Sequence, residues 1–398
     1  MKKTILIFLT IWTSSFVFCQ SANYEDPIEP DFLLEIYGKD TLVDYVLENR
    51  EKFRFQFMLT EIEEVDSTLV LGKTHNYAVP EWYFYPASVV KLPTAILTLE
   101  KLKEKDFPVE SFLVIRGDFE CGNMSFVEDS YEKNMTIKGM MRELIIVSNN
   151  MYYNSLYHFL TPKYLNEQLQ AKGIRNTHIY KDFSGCEMPL NMKTHGYFLV
   201  DRKKSIALKE DQSEFPLSEF AAHYSYDSTK LLGSKHEYRR NIVNGPFDFN
   251  YNLEYPISDI HGTSMRLFFP QFFKEDERWN IREEDRDLLI ETMKSMPRDL
   301  NEKKYSDKKK YPDNLYKYLI HGDDNSKYNS VVTYSKLGLS YGFVTETAYV
   351  HDPSTNRRYV LTVSMYVNEN DTVNDGKYEY EELAKPFLAR FGQLILER

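Results

Sequence analysis

Cysteine is scarce in this chain, with three in 398 residues. Cys19 closes an N-terminal apolar stretch, which leaves Cys121 and Cys186 in the remainder. Two cysteines cannot form the disulfide framework of a small secreted scaffold, and neither lies at a spacing typical of zinc ligands. The sequence therefore predicts two separate buried thiols, in preference to a single bridge, and no metal centre.

An excess of positive charge is also missing. Lysine and arginine number 49 against 60 aspartates and glutamates, which gives a formal net charge of −11. An acidic chain cannot release the counterions that drive binding to phosphate backbones, so a nucleic-acid partner is not expected. After the first twenty residues, no stretch reaches the eighteen apolar residues needed to span a bilayer, so no transmembrane anchor is expected. No internal repeat is present, and we expect a monomer that acts on a small molecule.

The N-terminus has the pattern of a secretory signal peptide. Lys2 and Lys3 precede the mostly apolar stretch Ile5–Phe18, which is short and soon followed by polar sequence. The large side chain before the cysteine disfavours lipoprotein processing. We predict a signal peptide over 1–19 and a periplasmic or secreted chain over 20–398, whose charge changes from −11 to −13 on loss of the two lysines.

Hydrophobic periodicity predicts where the helices and strands fall. Helices are predicted over Phe32–Phe53, after Pro86, after Thr136, from Pro162 to Gly173, from Thr263, over Arg282–Met296 and, with a kink or late start at Pro386, at the C-terminus. Strands are predicted over Phe55–Leu59, Thr68–Leu71, Val331–Lys336, Tyr341–Val350 and Tyr359–Val367, with turns at Asp66-Ser67 and Asp352–Asn356. Residues 192–257 and 300–330 are predicted to be loop-rich insertions, and the charged run Lys303–Lys310 a solvated loop.

Strands thus come from both ends of the chain, and the helices lie between them. This order predicts an α/β (α+β) fold. We expect a five-stranded antiparallel sheet flanked by terminal helices, with an all-helical lobe beside it.

The segment Ser88-Val-Val-Lys91 is a candidate nucleophile and base. Residues three apart share one face of a helix, so the lysine amine can reach the serine hydroxyl. Ser130–Lys133 and Ser306–Lys309 have the same spacing in polar surroundings, whereas Ser88 begins a long apolar helix. Burial there would lower the pKa of Lys91 towards that of a usable base. The alternative is a structural lysine whose amine reaches the surface from a core helix.

Two further motifs carry suitable chemistry. Ser148-Asn149-Asn150 follows a predicted apolar helix, where Ser148 can relay a proton and Asn150 can bind a substrate amide. Lys336-Leu337-Gly338 lies on a predicted strand, where the lysine can attract a substrate carboxylate.

The glycine of the third motif would leave the edge of its strand open. The backbone N–H groups of Ser88 and Leu339, the residue after Gly338, could then form an oxyanion hole.

Together these motifs resemble the signature of the serine β-lactamase and penicillin-recognising superfamily, and look most like that of the class A β-lactamases. That signature is Ser-x-x-Lys, Ser-Asp-Asn and Lys-Thr-Gly in this order, and the resemblance extends in layout over roughly residues 30–398. It implies the fold expected above, without metal or cofactor. It also implies roles for five side chains: Ser88 as nucleophile, Lys91 as base, Ser148 as proton shuttle, Asn150 as contact for the substrate amide and Lys336 as carboxylate anchor.

A fourth element and two departures bear on turnover. Glu187 opens the sequence Glu-Met-Pro-Leu-Asn, which is similar to the family's Ω-loop motif, whose glutamate activates the deacylating water; a surface-loop glutamate is the alternative. Asn149 replaces the family's aspartate, a mainly structural residue. Leu337 replaces the threonine whose hydroxyl helps hold the substrate carboxylate, which predicts weaker binding of β-lactams.

The function expected from the residues and the resemblance is a secreted serine hydrolase that forms an acyl-enzyme. The preferred substrate is a β-lactam. The alternatives are a D-alanyl-D-alanine-type peptidase or esterase acting on cell-wall or other acyl substrates, and a degenerate penicillin-fold binding protein. His195 and His261 are interpreted as loop histidines, because no motif places either beside the nucleophile.

Overall fold

A computed structural model describes residues 31–80, 82–116, 135–185, 193–211, 213–214, 216, 226–323 and 325–398. The predicted signal peptide, Cys121, Cys186, Glu187 and Ser130–Lys133 lie outside these ranges. Within the ranges, no helix is long and apolar enough to cross a membrane.

The described part of the chain contains nine α-helices and fifteen β-strands. In chain order the helices are α1 (Asp31–Ile36), α2 (Thr41–Glu48), α3 (Lys91–Glu104), α4 (Ile137–Ile146), α5 (Asn150–Leu160), α6 (Pro162–Ala171), α7 (Ile257–Phe268), α8 (Glu283–Lys294) and α9 (Lys385–Leu396). The strands are β1 (Gln56–Val65), β2 (Thr68–Tyr77), β3 (Phe112–Arg116), β4 (Lys193–Thr194), β5 (Gly196–Asp201), β6 (Ile206–Glu210), β7 (Ser213–Glu214), β8 (Leu231–Leu232), β9 (Lys235–Tyr238), β10 (Asn241–Asn244), β11 (Phe247–Asp248), β12 (Val332–Ser340), β13 (Phe343–Asp352), β14 (Arg357–Tyr366) and β15 (Thr372–Val373).

The main sheet confirms the predicted architecture. Its order is β12-β13-β14-β1-β2, and every neighbouring pair is antiparallel. Two-residue turns connect two of these pairs. Asp66 and Ser67 have φ values of 49° and 63°, and Tyr341 and Gly342 have values of 54° and 85°. Positive φ at both central residues matches the twist of the strands that such turns join.

Each face of the sheet covers its own core. On one face the terminal helices pack, and the ring of Phe55 lies 5.4 Å from those of both Phe387 and Phe391. On the other face the helical lobe packs around α3, whose residues from Lys91 to Leu102 are all buried. The strand β12 forms an edge of the sheet, at the boundary between the sheet and the lobe.

Several element boundaries differ from the prediction for local reasons. The first predicted helix is interrupted, because Gly38 adopts φ 75° and Asp40 caps a new helix by accepting hydrogen bonds from the backbone of Leu42 and Val43. The helix predicted from Thr263 begins six residues earlier, at Ile257. The late start predicted at the C-terminus is confirmed, with proline in the first turn of α9.

The predicted insertion over 192–257 contains short strands where the sequence predicted loop. In its described part, β5 pairs with β3 and β6, and β9 pairs with β15 near the C-terminus. These strands are two to six residues long, and all four residues of β10 are exposed. In these strands the alternation of apolar and polar residues is too short or is absent, so hydrophobic periodicity did not predict them.

The charged run Lys303–Lys310 is not wholly solvated. Tyr305 lies within it, is buried, and packs with Leu300 against Ile146 and Val147. Periodicity cannot reveal a single anchoring tyrosine in a polar segment.

Candidate active site

The turn that carries Ser88 connects the aromatic segment Trp82–Tyr85 to α3. Residues Ala87–Val90 form a 3₁₀ turn that continues directly into the helix. Ala87 has φ 47°, a left-handed conformation that is uncommon for a residue with a side chain. Such conformations persist where the surrounding structure holds them, and they are frequent at functional sites. Ser88 itself is half-buried, whereas its neighbours Ala87 and Val89 are buried.

The edge strand β12 lies directly against this turn. A methyl carbon placed on Gly338 would come within 2.6 Å of the Pro86 carbonyl oxygen and 2.8 Å of the Ser88 nitrogen. Only a residue without a side chain allows this backbone-to-backbone approach. Gly338 therefore fixes the distance between the nucleophile and the strand.

Lys91 contacts four oxygen atoms at the start of α3. Its Nζ lies 3.0 Å from Ser88 Oγ, 3.0 Å from Ser148 Oγ, 2.5 Å from the Ser148 carbonyl oxygen and 2.6 Å from Asn150 Oδ1. A neutral amine has two N–H donors and one lone pair. The carbonyl oxygens of Ser148 and Asn150 can take both donors, which leaves the lone pair directed at the hydroxyls.

The electrostatic surroundings of Lys91 favour its neutral form. Burial, with none of its surface exposed, holds its pKa well below the usual lysine value, and the nearby charge of Lys336 lowers the pKa further. The ring of Phe183 lies 5.3 Å from the amine and adds to the apolar wall. No sequence motif indicated Phe183.

Lys336 reaches the same hydroxyl from the sheet. Its Nζ donates to Ser148 Oγ at 3.1 Å and to the Leu337 carbonyl oxygen at 2.7 Å. Only 1% of Lys336 is exposed, and burial lowers its pKa to about 7, against an opposing effect of Glu346. Ser148 Oγ therefore bridges two buried amines.

The turn that carries Ser148 is held by its neighbours. Ser148 has φ 55°, and Asn149 caps α5 by accepting hydrogen bonds from the backbone N–H groups of Met151 (3.0 Å) and Tyr152 (3.4 Å). This capping supports the mainly structural role predicted at position 149. Asn150, the first residue of α5, is an exposed residue whose Oδ1 contacts the lysine.

Asn149 also has a partner that the motifs did not indicate. Its Nδ2 donates to Glu143 Oε2 at 2.9 Å, and Tyr305 Oη donates to the same oxygen at 2.6 Å. Burial alone would raise the pKa of Glu143, but these hydrogen bonds, together with the charge of Lys304, hold it below the usual glutamate value. A lone acidic residue in the apolar stretch Met-Met-Arg-Glu-Leu-Ile-Ile was the available sequence signal.

Leu337 does not lie where the resemblance placed it. Its side chain is 1% exposed and belongs to the core between the sheet and the terminal helices. Lys336 and Leu337 are consecutive on a strand, so their side chains point to opposite faces, and the lysine faces the lobe. The expectation that leucine weakens carboxylate binding beside Lys336 is therefore corrected: Leu337 serves packing.

The remaining candidates lie apart from this cluster or outside the described residues. Ser306 is an exposed serine whose hydroxyl donates to the Lys303 carbonyl oxygen. His261 is on a helix, not in a loop, and lies 2.9 Å from Thr60 Oγ1 and 3.2 Å from Thr362 Oγ1. His195 is buried between two short strands, and the structure brings neither histidine to Ser88. Glu187 and the two cysteines are not among the described residues.

The chain is similar to β-lactamases in part of its sequence and in its fold. Residues 68–212, just over a third of the chain, match the sequence model of the β-lactamase enzyme family. The matched part includes Ser88, Lys91 and Ser148. A comparison with curated protein sequences found no match.

Solved structures with a similar fold include class A β-lactamases. A mutant of the last common ancestor of Gram-negative bacteria class A enzyme aligns with 13% identity and a TM-score of 0.50, covering 90% of this chain and 98% of that one. The β-lactamase from Desulfarculus baarsii aligns with 13% identity and a TM-score of 0.50, covering 90% and 95%. The predicted resemblance to the serine β-lactamase and penicillin-recognising superfamily, and its fold, are confirmed.

Proposed function

We propose that this protein is a serine hydrolase that forms an acyl-enzyme on Ser88, with Lys91 as the general base. The observation that carries the proposal is the 3.0 Å approach of a buried amine to the hydroxyl of Ser88, with two carbonyl oxygens occupying the N–H groups of that amine. A positioned base with a lowered pKa is what activates an otherwise weak serine nucleophile.

The proton path follows from the contacts. When Ser88 Oγ attacks an acyl carbon, its proton passes to the Lys91 amine 3.0 Å away. Ser148 Oγ lies 3.0 Å from Lys91 and 3.1 Å from Lys336, so it can carry a proton to the leaving group. The charge on Lys336 compensates the negative charge that develops nearby.

The oxyanion hole is proposed at the backbone N–H groups of Ser88 and Leu339. The support is the contact of Gly338 with the Ser88 turn, because the next residue on the strand is then beside the same turn. Fixed backbone donors at this position stabilise the tetrahedral intermediate without reorganisation.

The proposed substrate is a β-lactam, because the structural neighbours are class A β-lactamases and because Lys336 suits the carboxylate that such substrates carry. A D-alanyl-D-alanine-type peptide or another acyl substrate would use the same groups. Glu187 is proposed as the activator of the deacylating water. We also propose that residues 1–19 direct the chain to the periplasm or outside the cell, which N-terminal sequencing of the mature protein tests.

The decisive experiment is intact-mass measurement over time after mixing with benzylpenicillin or a fluorophosphonate probe. We expect one label on the peptide that contains Ser88 and no label in Ser88→Ala. Lys91→Ala should still fold, and its labelling should be slower by a factor of about 10² or more. Ser306→Ala is the matched control and should label like wild type; labelling that persists in Ser88→Ala would contradict the proposal.

The deacylation step distinguishes a hydrolase from the binding-protein alternative. If Glu187 activates water, Glu187→Gln should accumulate the acyl-enzyme while its formation rate stays nearly unchanged. A wild-type adduct that never turns over would point to the binding-protein alternative.

A further inference from the structure

A fully engaged carboxylate lies behind the turn that carries Ser148. Glu143, on α4, is 1% exposed and accepts hydrogen bonds from Tyr305 Oη at 2.6 Å, Asn149 Nδ2 at 2.9 Å and Lys304 Nζ at 3.3 Å. Its own carbonyl oxygen accepts the Asn149 backbone N–H at 3.2 Å. An ionised carboxylate in so buried a position is stable only with such partners.

Two of these partners come from the predicted insertion over 300–330. Tyr305 is 4% exposed, and its ring packs in a small apolar cluster with Ile146 and Val147, the residues just before Ser148. Lys304 is the adjacent residue of the same 3₁₀ turn. The insertion therefore docks directly on the chain segment that carries the proton shuttle.

The chemistry of Asn149 is matched to this arrangement. Its side-chain oxygen caps α5, while its Nδ2 donates to Glu143. An aspartate could serve as the cap but would place a second carboxylate about 3 Å from the first, which is unfavourable. The departure from the Ser-Asp-Asn pattern is thereby explained by Glu143.

We propose that Glu143 and Tyr305 are positioning residues, which hold Asn149 in place and through it keep Ser148 and Asn150 on Lys91. The inference depends on the proposed function for its catalytic consequence. Asn150 Oδ1 and the Ser148 carbonyl lie 2.6 Å and 2.5 Å from the Lys91 amine, so a displaced turn would release both contacts. The insertion then sets the direction of the lysine lone pair.

The first test exchanges the charge between two positions. Asn149→Asp alone should slow acylation of Ser88 by about tenfold or more at neutral pH, because two carboxylates then face each other. The double variant Glu143→Gln with Asn149→Asp restores one donor and one acceptor and should return to within about threefold of wild type. If the single variant labels like wild type, or the double variant shows no recovery, the positioning role is excluded.

The second test removes a single hydroxyl. Tyr305→Phe keeps the ring but removes the bond to Glu143, and we expect a lower acylation rate constant with an unchanged constant for initial probe binding. Tyr311→Phe is the matched control, because its ring packs 5.0 Å from that of Tyr305. Equal rates for the two variants would contradict the inference.

A third measurement separates this inference from the proposed function. The new carboxylate in Asn149→Asp faces Glu143, with Glu302, Lys304, Tyr305 and Tyr152 as the other charged or titratable groups around it. Repulsion raises its folded-state pKa above the unfolded value, so its destabilising effect is absent in acid and appears as the pH rises.

The unfolding temperature of Asn149→Asp should therefore approach that of wild type near about pH 4 and fall below it towards about pH 8, and the double variant should remove this difference. If wild type is never labelled, the proposed function fails, while a pH-dependent recovery in unfolding still supports the pairing. If wild type is labelled and unfolding shows no coupling between positions 143 and 149, the inference fails.

Discussion

At the residue scale, the site depends on two buried amines that share one hydroxyl. Lys91 and Lys336 approach Ser148 Oγ at 3.0 Å and 3.1 Å. Burial disfavours the charge on each, and the charge of Lys336 further disfavours a charge on Lys91. The two amines therefore have different roles. Lys91 is neutral and acts as a base, whereas Lys336 keeps its charge over a narrower pH range than an exposed lysine would.

This division predicts a pH profile that depends on the probe. Because the pKa of Lys336 is about 7, its charge is present below that pH and lost above it. The second-order acylation rate for benzylpenicillin, which carries a carboxylate, should therefore fall as the pH rises through about 7. It should also fall in acid, as Lys91 gains a proton.

A fluorophosphonate without a carboxylate should keep the acid limb and lose the alkaline one. Stopped-flow or quenched mass measurements across the pH range provide the comparison. Parallel profiles for the two probes would remove Lys336 from carboxylate recognition.

The burial of Leu337 reverses what the family comparison suggests for this residue. Leu337→Thr places a hydroxyl in the core beneath the sheet, and we expect a loss of about 2–3 kcal/mol in the free energy of unfolding. No gain in the acylation rate is expected. Leu337→Met keeps the apolar volume and should cost less than about 1.5 kcal/mol in denaturant titrations.

A tenfold increase in acylation by Leu337→Thr, with stability unchanged, would contradict this packing role. It would place the hydroxyl at the substrate instead.

At the element scale, the contact of β12 with the turn around Ser88 controls the geometry of the site. Gly338→Ala forces a carbon to within 2.6 Å of the Pro86 oxygen, so the strand or the turn must move. We expect acylation to slow by about 10² or more, since displacement of one oxyanion donor alone has an effect of that order. Mass labelling measures the rate, and thermal unfolding measures the accompanying destabilisation.

Gly376→Ala provides the control for Gly338→Ala. Gly376 has open space around it but a φ of 72°, so alanine there should cost about 1 kcal/mol of backbone strain and leave labelling unchanged. If both variants slow labelling equally, general destabilisation explains the effect and the specific contact does not.

At the scale of the whole molecule, the two ends of the chain complete one core. α1, α2 and α9 pack together on the outer face of the sheet, and Phe387, Leu388, Phe391 and Leu394 of α9 are all fully buried. Loss of each such side chain would cost about 2–5 kcal/mol, so the loss of all four together exceeds the stability of an ordinary domain.

Deletion of residues 385–398 should therefore abolish cooperative unfolding and labelling, as measured by circular dichroism and mass. Removal of residues 1–19, the predicted signal peptide, should leave both unchanged. A deletion at the C-terminus that still unfolds cooperatively would show that the sheet and the lobe are stable without α9.

Features that lie within short segments could be predicted from the sequence alone. Alternating and helical periodicity predicted the strands of the main sheet and helices such as α6 and α8, and the order of elements predicted the antiparallel sheet. The motifs predicted Ser88, Lys91, Ser148, Asn150 and Lys336, because each lies at a fixed spacing within a short segment whose context is itself readable.

Contacts between side chains of distant segments are evident only in the folded structure. Glu143 and Tyr305 are 162 positions apart, and no local pattern relates them. The same holds for the face of the sheet to which Leu337 turns. A contact between separate elements depends on how those elements pack, and the free energy of that packing is a property of the whole fold. Hydrophobic periodicity and motif spacing therefore do not predict such a contact.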